Sequence, residues 1–316
     1  MIRPSIELRQ PITSTADTAY MRDPTSSPSQ VSSRPRHAIT CVGEPDFAWS
    51  LPTVFYSPED VAELRRDADL VDGRFRDLRL EFVSARYRSA VAQEHAHHGF
   101  SRRLGTMARC VTRRFDLLPP DLDGVPEDGV TIDAALYVQA FIFNSFGCCE
   151  NLAWIWAHER DIRDGAGRPL RPNRIGLGPG CNEMRETFSD TFLQTLAIYD
   201  DWFGYLKDYR DALAHRIPLY IPPWSIDPDL GDEYNALDAA ATAALMAHDF
   251  DGHGRLIGQR DALRHFTPVI THSLISARPI RLHPQLLNDF DAIVDLSQGL
   301  LRALSADGDR QDRRGQ

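Results

Sequence analysis

The sequence predicts an all-α fold, a helical bundle with additional helices around its core. Apolar residues recur at three- and four-residue spacing over most of the chain beyond about residue 51. Helix punctuation frames that pattern, with Ser57-Pro58-Glu59-Asp60 as a start and Pro119-Pro120 as a stop. Strand signals are confined to Leu219-Tyr220-Ile221 and the stretch 268–280.

Residues 1–50 read as a disordered or loosely docked tail, because Thr13 to Arg36 is rich in Ser, Thr, Pro and Arg and has little apolar periodicity. A single all-α domain is expected over 51–305. Ser57 caps a first helix with Pro58 at its first position, and the helical pattern runs to about His98 with a break near Asp72-Gly73. From Phe100 to Leu118, Leu104, Ala108, Val111, Phe115 and Leu118 share one face, and Arg102, Arg109 and Arg113 share another. Ile132 to His158 is apolar nearly all round, which predicts the central helix of the bundle. A Gly/Pro/Arg loop follows over 161–181. From Asn182 the apolar spacing Phe188, Phe192, Leu196, Tyr199, Phe203, Leu206, Leu213 predicts one long helix, or two joined at Gly204. Pro218 ends it by Ile217, and Ile217 to Pro223 reads as extended. An Ala-rich helix is expected over Glu233–Ala247. A last helix over Pro284–Leu304 turns Leu287, Phe290, Val294 and Leu301 inward, and a fraying polar tail follows.

Composition bounds the function. Hydrophobic residues make up 42% and charged residues 25%, as in ordinary globular domains. No run of eighteen uninterrupted apolar residues exists and the first residues hold no apolar leader core, so the expectation is a cytoplasmic protein without a membrane span. Five cysteines, two of them the adjacent Cys148 and Cys149, fit reduced thiols better than a disulfide framework. A net charge of -10 disfavours non-specific binding to a polyanion such as DNA but leaves room for a local basic site. Lys207 is the one lysine; the other cations are arginines, which suit bidentate phosphate contacts.

The segment Tyr209-Arg210-Asp211-Ala212-Leu213-Ala214-His215 is the sharpest chemical feature. Leu196, Phe203 and position 210 follow at sevens, so Arg210 falls on the apolar face, where a guanidinium needs a partner or a cavity. His215 lies in the last turn, where the macrodipole favours positive charge, and Asp211 precedes it by one turn. Five residues at about 100° each place Arg210 and His215 about 140° apart, so they converge only if the last turn loosens or the Arg side chain swings round.

Arg-Asp-x-x-x-His at the end of a long helix that follows an apolar helix resembles the R-x4-6-H motif of the HEPN superfamily, in which a polar residue such as Asp commonly follows the Arg. The resemblance covers Ile132 to Pro223. It implies an all-α core that dimerises with the motifs facing one another, and for many members a metal-independent ribonuclease. It further implies that Arg210 binds the scissile phosphate, His215 handles protons and Asp211 orients one of them. RNA or a nucleotide would be the partner, with no cofactor and no metal. The alternative is a non-catalytic helical module that binds RNA, a nucleotide or a protein.

Tyr137, Asn144, Asn151 and His158 form a polar stripe at sevens in the apolar helix. They either face Arg210 and shape a substrate site, or form the solvated edge of the helix. Arg102, Arg109 and Arg113 either track a phosphate backbone or line a solvated face. Glu94-His95-Ala96-His97-His98 lacks a clear third zinc ligand. Gly176-Leu177-Gly178-Pro179-Gly180 has no Walker lysine, and the segment opening at Asp249 lacks the closing Glu of an EF-hand. No Gly-x-Ser-x-Gly elbow is present.

Overall fold

The computed structural model describes residues 55–273, 277 and 279–312, the last six as backbone alone; the expected tail over 1–50 lies outside them. The described chain is an all-α bundle with one two-stranded ribbon. Helix α1 (Pro58–Ser84) opens on a complete capping box: Ser57 Oγ accepts from the Asp60 amide, and Asp60 Oδ2 accepts from the Ser57 amide. The expected break at Gly73 does not occur. Glycine there weakens a helix by about 1 kcal/mol, but the buried stripe Leu64, Val71, Leu78, Phe82 holds both sides of it against the core. The break falls later, at Ala85–Ser89, and Ser89 caps α2 (Ala90–Glu94). A turn over His95–Phe100 is wound as a π-helix and runs straight into α3 (Ser101–Leu117).

Helix α4 (Val130–Glu159) packs against α3, α7 and α10. Val138, Phe141, Ile142, Leu152, Ile155 and Trp156 are at most 1% exposed. Among the described residues α4 alone is long and apolar enough to cross a membrane, and half of its most apolar window is buried inside the fold. Its apolar surface is not wholly covered: Ile132 (68%), Leu136 (59%) and Phe143 (42%) remain exposed. They share one face of the helix, which the nearly uniform apolar sequence did not single out.

The helix expected from Asn182 is three: α5 (Asn182–Arg185), α6 (Asp190–Ile198) and α7 (Asp200–His215). Ser189 restarts the chain by accepting from the Phe192 amide. Tyr199 leaves helical geometry, and its hydroxyl donates to Asp295 of the last helix at 2.9 Å. Gly204 lies unbroken within α7. Extended chain follows; Gln139 of α4 donates to the Leu219 carbonyl (2.9 Å), and Tyr220 bridges to Thr271. Helices α8 (Gly231–Met246) and α9 (Phe250–Asp261) pack on each other. The sequence reading missed α9, since three glycines dilute its apolar spacing. Asp249, weighed as a calcium-loop start, caps it by accepting from the Gly252 amide. Strands β1 (Val269–Ile270) and β2 (Ile280–Arg281) pair antiparallel. Helix α10 (Leu282–Asp312) buries Leu287, Phe290 and Val294, and its backbone stays helical past the expected end at Leu304.

Two buried polar junctions lock α10 in place. At one, the Leu118 carbonyl accepts from Arg114 Nη1 and from His283 Nε2, each at 2.7 Å. Burial pushes the Arg114 guanidinium down to about 9, and burial with the neighbouring Arg114 charge holds His283 well below its ordinary range, so the imidazole is neutral with its proton on Nε2. At the other, Asp289 accepts from Trp202 Nε1 (2.8 Å), Gln285 Nε2 (2.7 Å) and the Tyr205 hydroxyl (3.2 Å). Burial pushes the Asp289 carboxyl up to about 6, against the pull of these three donors.

The native state therefore binds the Asp289 proton more tightly than the unfolded chain does. This contribution to stability is complete below about pH 4 and is lost as pH rises to about 6. Urea denaturation of wild type and Asp289→Asn should show the wild type losing about 3 kcal/mol relative to the variant between these limits, with no further change above them. A difference that stays constant through the window would mean that Asp289 ionises like an exposed carboxylate.

Candidate functional site

Two polar regions flank α4, and they lie on opposite sides of it. Phe146 and Tyr137 are nine residues apart, which at about 100° per residue is about half a turn of helix.

On the Phe146 side stands the C-terminal end of α7. The Arg210 guanidinium lies over the Phe146 ring at 4.1 Å from its centroid, a cation–π contact of about 0.5–2 kcal/mol. Arg210 Nη1 pairs with Asp211 Oδ1 at 3.0 Å, its side chain is 26% exposed, and its buried Nε has no hydrogen-bond partner. The other oxygen of Asp211 accepts from Lys207 Nζ at 2.7 Å. Lys207, then Arg210, hold the Asp211 carboxyl below the usual carboxylate range. Asp211 thus braces Arg210; its oxygens are engaged away from His215. His215 is exposed and has no hydrogen-bond or ion-pair partner among the described residues. The helix stays regular through His215, and Arg216 closes it by donating to the Asp208 carbonyl (2.9 Å) and carboxylate (2.6 Å). The last turn does not loosen, so within one chain Arg210 and His215 keep the wide angle that helix geometry gives them.

The polar stripe of α4 does not face this helix, contrary to the expectation that it would shape the Arg210 site. It faces α2, the π-turn and α3. Asn151 donates to His95 Nδ1 (3.1 Å), and its own Oδ1 is buried without a partner. His95, Trp154 and His158 stack, with His95 and Trp154 nearly parallel at 5.6 Å and His158 5.4 Å from Trp154. Burial, then the nearby His158, lowers the pKa of His95 and favours the neutral ring. Asn144 donates to the Ala140 carbonyl (2.7 Å), and Arg103 lies across Gly147 beside it. The two asparagines are thus structural ties rather than part of the α7 site. Among the described residues no group of three or more His, Cys, Asp or Glu is placed to hold a metal.

Tyr137 lines a cleft of about 830 Å³ between α1, α3 and α4. Arg102 and Arg109 reach it from α3, as their shared face suggested. Arg113 does not line it; it pairs with Asp116 at 3.1 Å. Arg79 of α1, which the sequence reading did not single out, and His97 and His98 of the π-turn, which it weighed as zinc ligands, complete the wall. Arg79 reaches the cleft only through helix packing, whereas His98 lies one turn before Arg102. Arg102 donates to His98 Nδ1 (3.3 Å), and His97 Nε2 is buried without a partner.

Compared with family models, curated proteins and solved structures, the chain matches none.

The π-turn depends on Gly99. A Cβ built there would stand 2.5 Å from Asn151 Nδ2. Gly99→Ala should therefore displace the Asn151–His95 pair and destabilise the fold by about 1–3 kcal/mol, read by chemical denaturation. Wild-type stability in this variant would mean that the turn rewinds without cost.

Proposed function

We propose that the protein is a HEPN-like, metal-independent endoribonuclease of the cytoplasm, acting as a homodimer through the end of α7. The observation that carries this reading is Arg210. It is held over the Phe146 ring and by Asp211, yet stays partly open on the same helix end as an exposed, unpartnered His215. A guanidinium held this way can grip a phosphate without losing its own order.

The angle between Arg210 and His215 calls for a second copy. Ile132, Leu136 and Phe143, the exposed stripe of α4, lie within about 80° of Phe146 around the helix and lead up to the Arg210 site. A second chain seated on that stripe would bring its own His215 to the first chain's Arg210. The substrate's 2′-hydroxyl would then attack the adjacent phosphorus, its proton passing to a base. The bond from phosphorus to the 5′-oxygen breaks, and that oxygen takes up a proton. His215 would move one of these protons, while Arg210 would hold the added negative charge on the phosphorane. The products would be a 2′,3′-cyclic phosphate and a 5′-hydroxyl.

A second reading, a non-catalytic module that binds RNA or a nucleotide, is favoured by the regularity of α7 to its last residue.

The readings separate on purified protein incubated with mixed RNA and with DNA. The ribonuclease should cleave RNA equally well in EDTA and leave DNA intact, and His215→Ala should lower the rate roughly 10²–10⁴-fold. Mixing inactive Arg210→Ala with inactive His215→Ala should restore roughly a quarter of the wild-type rate, because half of the dimers formed would hold one intact composite site. Cleavage undiminished in His215→Ala, or lost in EDTA, would overturn the mechanism. No regain on mixing would overturn the composite site, and no cleavage by wild type would leave the binding module.

A further inference from the structure

We infer that the cleft between α1, α3 and α4 binds the polyphosphate of a nucleotide, at a site separate from the end of α7. The first ground is charge. The chain carries 45 acidic and 35 basic residues, yet no Asp or Glu lines this cleft, while Arg79, Arg102 and Arg109 all do. Arg79 and Arg109 make no hydrogen bond or ion pair among the described residues. Some arginines elsewhere are neutralised by carboxylates, as Arg65 is by Asp121 and Arg185 by Asp200; in the cleft no carboxylate is at hand to do so. Unpaired guanidiniums converging from two helices onto one concavity leave an anion as the complementary ligand.

The second ground is shape. A volume of about 830 Å³ falls within the range of small-ligand sites, about 300–1,000 Å³. Arg102 and Arg109 are two turns apart on α3, about 10 Å along the axis, and Arg79 faces them from α1. This spread suits a row of phosphates better than a single one.

The third ground is the rest of the lining. Phe75 and Val83 of α1 and Ala140 of α4 give the cleft an apolar part, where a nucleoside can shed water. Gly105 lets the Phe75 ring pack closely on α3 as part of that apolar wall, since a Cβ there would meet the ring at 3.1 Å. His97 adds a buried ring nitrogen that still lacks a partner.

Calorimetric titration of the full chain with ATP, inorganic triphosphate and adenosine tests this. ATP should bind, inorganic triphosphate should compete with it, and adenosine alone should not bind detectably. The double variant Arg79→Gln/Arg109→Gln should weaken ATP binding by about tenfold or more. Both side chains are exposed and unpaired, so a thermal melt should show the variant folded as wild type. Neither residue belongs to the α7 site, so the calorimetric signal in this variant reports on the cleft alone. The inference is overturned if wild type does not bind ATP at millimolar concentration or if the double variant binds it equally well. It is also overturned if the cleft takes inorganic triphosphate or a single-stranded RNA oligomer but not ATP.

Discussion

The arrangement rests on one constraint: α4 is packed at once by α3, α7 and α10, with the Asn151–His95 tie on one face and Arg210 on another. A helix in that position cannot bring groups on its opposite faces into a shared site. Tyr137 and Phe146, half a turn apart, therefore serve different neighbourhoods. Its polar side chains follow the same logic. A buried amide needs a partner at hydrogen-bond distance, and Asn151 finds His95 on the π-turn, far round the helix from Arg210. Asn144 uses its own helix, through the Ala140 carbonyl.

Local chemistry was legible in the sequence wherever the signal was itself local. Ser57 and Asp60 announce a capping box and form one. The apolar run ending near Trp156 announces a core helix, and Trp156 is 1% exposed. The seven-residue spacing of Tyr137, Asn144 and Asn151 did place them on one face. Spacing says which residues share a face but not which neighbour covers it. That choice is made by α2, the π-turn and α3 packing on that face, which is tertiary information. The helix breaks at Tyr199 and Ala85 were hidden for the same reason. Tyr199 continues the apolar period, and its departure from the helix is tied to a hydroxyl bond to Asp295, almost a hundred residues on. At the candidate site the sequence marked Arg210, Asp211 and His215 as a unit. It did not show that Lys207 and Arg210 would occupy both oxygens of Asp211.

The two basic regions differ in how their arginines are held. Arg210 is ordered before any ligand arrives, stacked on an aromatic ring and paired with a carboxylate at its side. Its pair partner also opposes an incoming phosphate, so binding there exchanges one anion for another or shares the guanidinium between two. Such a site favours a ligand whose charge grows during a reaction, because a stronger anion competes better for the shared donor. The cleft arginines have no competing carboxylate, but Arg79 and Arg109 must give up side-chain freedom to close on a ligand. Such a site favours a ligand with several charges at once, over which that entropy cost is spread. By this argument the held arginine of α7 would suit the proposed transition state, and the free arginines of the cleft the proposed polyanion.

The exposed stripe of α4 follows from the same division. Ile132, Leu136 and Phe143 lie within about 80° of Phe146 around the helix, where Arg210 of α7 sits, yet all three stay exposed. Beyond that point the chain turns into the extended segment anchored by Gln139 on Leu219. Three large apolar side chains are thus left uncovered along the α4 face that leads to Arg210, with Phe143 one turn from Phe146 and Ile132 about 21 Å away. Burying them would release about 25 cal/mol for each Å² removed from water. The same contact would exclude water around Arg210 and strengthen its hold on a phosphate. Under the proposed dimer, one event would both cover the apolar stripe and dry the Arg210 site, so the two would act as one feature.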